Sequence, residues 1–403
     1  MKRALALLVT AACGRIGFEP AETPDGPEAT PFSIDLGAPS ALRGVALLPD
    51  GAVAVTGQFA APVTFGGIPL AHAGDGDIVL AVVEPTGVVR WAKAFGSSGF
   101  DDSWDVLADP DGSIFITGAI GGAISFGGSV LVPSVEDVFV ASFTADGTHR
   151  WSVRFPGQGA PAPDLAQVGF RLATFQNGDI AVGGRVAGAV DLGLGVLAET
   201  GAAWNAFVVR LDRASGATRW AGRADGAGAS EVFGIAIDAN DQVFVVGDYQ
   251  PGADLGSGAA EPSRGGADVF VMALDSAGDY VGHDTFGGPG EEWAFGAAIV
   301  GDVLFVSGYY DGPLDFTSTV PLPAGGKDAF VAGYSLDGDR RDIDVFGGSG
   351  CDHVFAIEPA GAGLVFGGAY SGTIDLGDGL RTSRGGADAF VSVADVTTKA
   401  IET

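Results

Sequence analysis

A strand ending in glycine recurs six times, a second anchor recurs in step with it, and no segment sustains a 3.6-residue apolar period. Together these predict an all-β chain, a six-bladed β-propeller of four-stranded blades. The first anchor runs through Gly57, Gly118, Gly184, Gly247, Gly308 and Gly368, at intervals of 61, 66, 63, 61 and 60 residues. The second runs through Asp77, Asp137, Asn205, Asp268, Asp328 and Asp388, at intervals of 60, 68, 63, 60 and 60. Gly makes up 67 of 403 residues, well above the usual ~7%, without the Gly-X-Y period of collagen. With 47% hydrophobic residues, that composition fits short strands joined by tight turns.

The chain opens on "MKRALALLVTAAC", where Lys2 and Arg3 precede an apolar run from Ala4 to Ala12. Nine apolar residues are too few to span a bilayer, and the pattern is that of an export signal. Residues 14–30, "GRIGFEPAETPDGPEAT", have few apolar groups to offset ordering entropy and read as an extended tether. The domain organisation expected is therefore a signal at 1–12, a tether at 13–30 and a propeller at 31–403. Its repeats fall near 42–98, 102–158, 168–228, 231–289, 293–349 and 353–403, with 31–37 added to the last.

Within one repeat, "FGIAID" turns through "ANDQ" into "VFVVGDY"; after a long excursion, "DVFVMAL" turns through "DSAGD" into a shorter strand. β-branched and aromatic residues fill the strands, and Gly, Asp and Asn punctuate them. On the first strand, Trp104, Phe170, Phe233, Phe295 and Phe355 align and predict an aromatic layer between blades. Arg43 holds that place in the first repeat, where the layer is expected to break.

The last repeat ends at "DAFVSVADVTTKAIET" with no room for a fourth strand. "PFSIDLG" at 31–37 alternates Phe32, Ile34 and Leu36 with Ser33 and Asp35, as a half-buried strand does. It aligns with the fourth strands, Phe32 with Trp91, Trp151 and Trp220, and Leu36 with Phe95, Phe155, Phe286 and Phe346. The expectation is that residues 31–37 complete the last blade. Burial of three such side chains is worth at most roughly 4–9 kcal/mol.

A net charge of −29 and the lack of any basic cluster exclude nucleic-acid binding as an expected function. The turns joining first to second and third to fourth strands are short, as in "PDG" at 49–51 and 110–112, "PTG" at 85–87 and "SAG" at 276–278. The excursions between second and third strands are long and share "VTFGG", "ISFGG", "VDLGL", "ADLGS", "LDFTS" and "IDLGD", read as small extra hairpins. Loops on a rigid scaffold are where binding resides, so this long-loop face is the expected functional face.

Acidic residues gather where one repeat passes to the next: Asp101, Asp102, Glu231, Glu291, Glu292 and Asp352. Oxygen-rich loops suit Ca²⁺, although no EF-hand spacing is present. The recurring Asp77, Asp137, Asp268, Asp328 and Asp388 are expected to accept backbone N–H groups beside the preceding Gly turn. His72, His149, His283 and His353 do not recur in register or at metal-ligand spacing. Cys351 and His353 share a strand face, but a nucleophile needs a base geometry that spacing cannot supply. No phosphate loop or dinucleotide fingerprint is present.

Two resemblances add to this reading. Thr10-Ala11-Ala12-Cys13 resembles a bacterial lipoprotein signal, which implies cleavage before Cys13 and lipid on that residue. "FGGPGEEWAFGAAIVGDVLFVSGYY" (286–310), "GGKDAFVAGYSLDGDRRDIDVFGGSG" (325–350) and "SRGGAD", verbatim at 263–268 and 383–388, resemble the SBBP-type bacterial β-propeller repeat. The third repeat departs most, with Asn205 for Asp and "FPGQGAPAPDLAQ" for the tight Gly turn. The resemblance implies an exported or surface-attached bacterial protein. The expected function is a non-enzymatic binding or scaffold protein at the cell envelope, monomeric, meeting an envelope protein or glycan and touching membrane only through its lipid. Its location is the outer membrane or cell surface, or the periplasm or medium if unlipidated. No cofactor is expected beyond Ca²⁺. The alternatives are an envelope polysaccharide-acting enzyme using channel carboxylates and a calcium-stabilised adhesin.

Overall fold

The computed structural model describes residues 40–134, 136–158, 167–198, 201, 204–317, 320, 322–377 and 379–395. The signal at 1–12, Cys13, the tether and the strand expected at 31–37 lie outside them. The fold is all-β, with no helix among the described residues, and is a six-bladed β-propeller in class. Two compact units divide the chain: Met1–Arg154, with the first two blades, and Phe155–Thr403, with the other four.

Each blade is an antiparallel sheet whose strands pair in chain order. The first is Ser40–Leu47, Val53–Phe59, Asp77–Val83 and Val89–Phe95. The fourth is Ser230–Ile237, Val243–Tyr249, Asp268–Leu274 and Tyr280–Phe286. The sixth has three described strands, Asp352–Ala360, Gly363–Asp375 and Leu380–Asp395. Leu380 and Val393 on that last strand are exposed.

The third strands read as unbroken apolar runs because both of their faces are buried. In Asp77–Val83, Ile78, Leu80 and Val82 join one core cluster while Val79, Ala81 and Val83 join the next. In Asp328–Ser335, Phe330, Ala332 and Tyr334 face one way and Ala329 and Val331 the other. The core is thus a series of layers between neighbouring sheets within each unit.

The glycine anchor has a single cause. The pairing of every first strand with its second slips by one residue, at Arg43, Trp104, Phe170, Phe233, Phe295 and Phe355. This is a β-bulge. The bulge drives the preceding carbonyl toward the second strand: a Cβ on Gly247 would stand 1.8 Å from the Glu231 oxygen, and one on Gly368 1.7 Å from the His353 oxygen. Only glycine fits opposite the bulge.

The bulged residues form the aromatic layer. In the larger unit, Phe170 and Phe233 stack at 4.8 Å, Phe233 meets Phe295 at 5.7 Å, and Phe295 meets Phe355 at 5.2 Å. Arg171 donates to the carbonyls of Phe233 at 2.8 Å and Phe295 at 3.2 Å. In the smaller unit the layer does not break at Arg43, contrary to expectation. The Arg43 guanidinium lies 4.1 Å from the Trp104 ring centre and pairs with Asp102 at 3.0 Å. A planar cation stacks where an aromatic ring would.

The shared loop element is a full hairpin in the first blade, Val63–Phe65 with Ile68–Leu70, and in the third, Ala189–Asp191 with Val196–Leu197. In the second it shrinks to one bridge, Ile124 to Leu131. What recurs in five blades is a buried plug: Phe65, Phe126, Leu192, Leu255 and Phe316.

Candidate functional site

The recurring aspartates accept backbone N–H groups from four residues back. Asp77 takes that of Ala73 at 2.7 Å, Asp268 that of Arg264 at 2.8 Å, Asp328 that of Ala324 at 2.8 Å, and Asp388 that of Arg384 at 2.9 Å. Asp137 pairs with Arg154. The carboxylates beginning the next repeats do the same: Asp101 accepts from Ser97 at 2.6 Å and Glu292 from Gly288 at 2.7 Å. The structure therefore brings the two sets together as buried pairs: Asp77 with Asp101, Asp268 with Glu292, and Asp328 with Asp352. Burial and then the neighbouring negative charge push Glu292 up to about 7 and Asp352 up to about 6. Among the described residues, no group of three or more His, Cys, Asp or Glu side chains is placed to hold a metal ion.

Of the six acidic residues at the repeat junctions, Asp101, Asp102, Glu231, Glu292 and Asp352 are buried and only Glu291 is displayed. Asp101 and Glu292 accept N–H groups of the turns before them and Asp352 accepts that of Ser371, whereas Asp102 pairs with Arg43 and Glu231 with Arg185. Cys351 is exposed, and the His353 ring lies 4.8 Å from Tyr309 and 5.4 Å from Phe355. Burial pulls His353 down to about 4, so it is neutral and packed against aromatic rings.

One cleft stands out on the long-loop face of the larger unit, with a volume of about 500 Å³. That size falls in the range of small-ligand sites, roughly 300–1,000 Å³. Arg185 comes from the second strand of the third blade, Glu231 and Asp248 from facing strands of the fourth, and Trp293 from the first strand of the fifth. Trp204, Gln250 and Glu291 complete the wall.

Glu231 and Asp248 are directly opposed across the strand pair, so their side chains share one sheet face. Arg185 pairs with Glu231 at 2.9 Å and lies 5.0 Å from the Trp204 ring centre. Burial raises Glu231 against the opposing pull of Arg185. Asp248 is buried, and burial followed by the charge of Glu231 pushes it well above its ordinary value. Asp248 Oδ1 and Trp293 Nε1 are buried and make no hydrogen bond within the described structure. Trp293 stacks on Phe233 and Tyr309, with centroids 6.0 and 6.1 Å apart. Lys327 lies 4.1 Å over Tyr309 and 3.6 Å from Glu291.

The repeat alignment pointed to Glu231 and Glu291 but missed Arg185, Trp204, Asp248 and Trp293. A signal for three of these was present. The residue after each anchor glycine runs Gln58, Ala119, Arg185, Asp248, Tyr309, Ala369, and the facing residue runs Ala41, Asp102, Val168, Glu231, Trp293, His353. Neighbouring positions repeat their chemistry, whereas this layer does not.

No family model matches the chain, and no curated protein does. Solved structures similar to it include BamB from Moraxella catarrhalis, at 12% identity and TM-score 0.35, covering 82% of this chain and 80% of that one. The PQQ-bound aldose sugar dehydrogenase of Streptomyces coelicolor has 12% identity and TM-score 0.41, covering 92% and 100%. Hydrazine synthase of Kuenenia stuttgartiensis has 10% identity and TM-score 0.41, covering 86% and 96%. Likeness at this level bears on neither activity nor ligand.

Proposed function

We propose that this chain is a non-enzymatic binding or scaffold protein of the bacterial envelope, exported and held by lipid on Cys13, with its ligand on the long-loop face. The observation that carries the binding reading is the cleft, whose wall holds Trp204 and Trp293 and two buried polar atoms without partners, Asp248 Oδ1 and Trp293 Nε1, on the face where the sequence placed binding. A buried polar group without a partner is costly, and a ligand that satisfies it recovers that cost. Export and lipidation rest on the signal-like opening and on the resemblance of the repeats to the SBBP type.

The test is retention. Immobilised protein is expected to hold a component of bacterial envelope extract that an equal load of Asp248→Asn protein holds more weakly. Retention no greater than that of bare resin contradicts the reading. Lipidation is checked separately by labelling cells with radioactive palmitate, which is expected to mark the wild type and not Cys13→Ala.

One observation favours an enzyme as the second reading. Asp248, whose burial favours its O–H form, faces the Arg185-paired Glu231 across one strand pair, and glycoside hydrolysis uses a pair of carboxyl groups in those two forms. Release of reducing ends from envelope polysaccharide, lost in Asp248→Asn, would establish it.

A further inference from the structure

The cleft's donors and acceptors restrict its occupant. A cation would meet Glu231 and Glu291, but Arg185 and Lys327 already pair with them. An anion would find Arg185 committed and two carboxylates close by. A purely apolar guest would leave Asp248 Oδ1 and Trp293 Nε1 without partners, which is unfavourable for buried polar groups. What remains is a neutral molecule that both donates and accepts and also presents apolar surface to a ring. Burial and the Glu231 charge favour the O–H form of Asp248; Trp293 offers an N–H, Gln250 both an amide donor and a carbonyl, and Glu231 acceptors.

We propose that the cleft bounded by Arg185, Trp204, Glu231, Asp248, Gln250 and Trp293 is a saccharide subsite that takes one neutral pyranose ring of a glycan. Hydroxyl groups at several positions of one ring match the alternating donors and acceptors. The ring's C–H face meets the Trp204 indole, while Trp293, stacked on Phe233 and Tyr309, offers its N–H. The site exists in one junction because only the fourth blade carries a carboxylate at both facing positions of the divergent layer. This proposal rests on the binding reading above and names its ligand class.

The experiment uses the full chain and calorimetric titration with neutral trisaccharides of glucose, galactose and N-acetylglucosamine, with spermidine and citrate as charged comparisons. At least one trisaccharide is expected to bind saturably and to change tryptophan fluorescence, while spermidine and citrate do not. Trp204→Ala is expected to weaken that binding by about tenfold or more, a loss of about 1.4 kcal/mol. Trp293→Ala could disturb the stacked rings, so Asp248→Asn, which keeps the shape, provides the second variant and is expected to weaken binding while leaving the thermal transition in place. The proposal is overturned if no trisaccharide binds, if spermidine or citrate binds instead, or if Trp204→Ala and Asp248→Asn bind as tightly as the wild type. Failure here with envelope retention intact removes the saccharide and keeps the binding reading, whereas loss of retention removes both.

Discussion

At the scale of single residues, backbone geometry decides which glycines matter. Gly247 faces a bulge, and its missing Cβ makes room for the Glu231 carbonyl. Gly247→Ala is expected to destabilise the fold by about 2–4 kcal/mol, read from the urea midpoint. Gly282 has nothing within 4 Å of its would-be Cβ, so Gly282→Ala should be neutral or slightly stabilising. Equal effects would contradict the bulge account. The recurrence of the glycines was legible in the sequence. Its cause was not, because a bulge is a relation between two strands and leaves no mark on either alone.

Glu292 gives the pH prediction. Burial, with Asp268 and Asp311 nearby, raises it from 4.5 to about 7, against the lowering pull of the Gly288 N–H. The folded state therefore holds this proton more tightly than the unfolded chain. Its contribution is fully present below about pH 4.5 and is lost as pH rises through about 7. Glu292→Gln should flatten the fall in stability across that window. At pH 8 it should exceed the wild type by about 2–3 kcal/mol. A slope unchanged by the substitution would show that Glu292 is not the titrating group.

At the scale of elements, the first strands are tied by what projects from their bulges. In the larger unit the four phenylalanines touch in series, and Arg171 fastens the carbonyls of Phe233 and Phe295. Phe233 has ring contacts on both sides, so Phe233→Ala should cost about 2–4 kcal/mol in denaturant unfolding. Phe355→Ala, near the end of the series, should cost less. The aromatic layer was legible because a ring recurs at one position. The stacking of Arg43 on Trp104 was not, because a charged residue reads as an interruption until its planar group is seen lying on a ring. The burial of the junction carboxylates was not legible for a similar reason. Acidic residues beside glycine read as oxygen-rich loops, whereas here backbone N–H groups donate to Asp101, Glu292 and Asp352, and arginines pair with Asp102 and Glu231.

At the scale of the molecule, repetition supplies the scaffold and its local failure supplies the proposed site. Six units and four-strand order could be read directly from two spaced anchors. The cleft could not, since it draws on three blades and on residues defined by not repeating. The expected completion of the last blade by residues 31–37 lies outside the described residues. Its test is truncation: removing residues 1–30 should leave the melting transition in place, and removing 1–37 should lower it and promote aggregation through the exposed edge strand. Equal behaviour of the two truncations would contradict that expectation.

Ligand recognition is proposed for the long-loop face of the fourth-blade junction. Hydrogen–deuterium exchange with and without the retained envelope material tests this most directly. Protection is predicted at residues 248–251, 264–267 and 291–293, with no change in the short turns at 238–242 and 275–279. Protection confined to those short turns would contradict it.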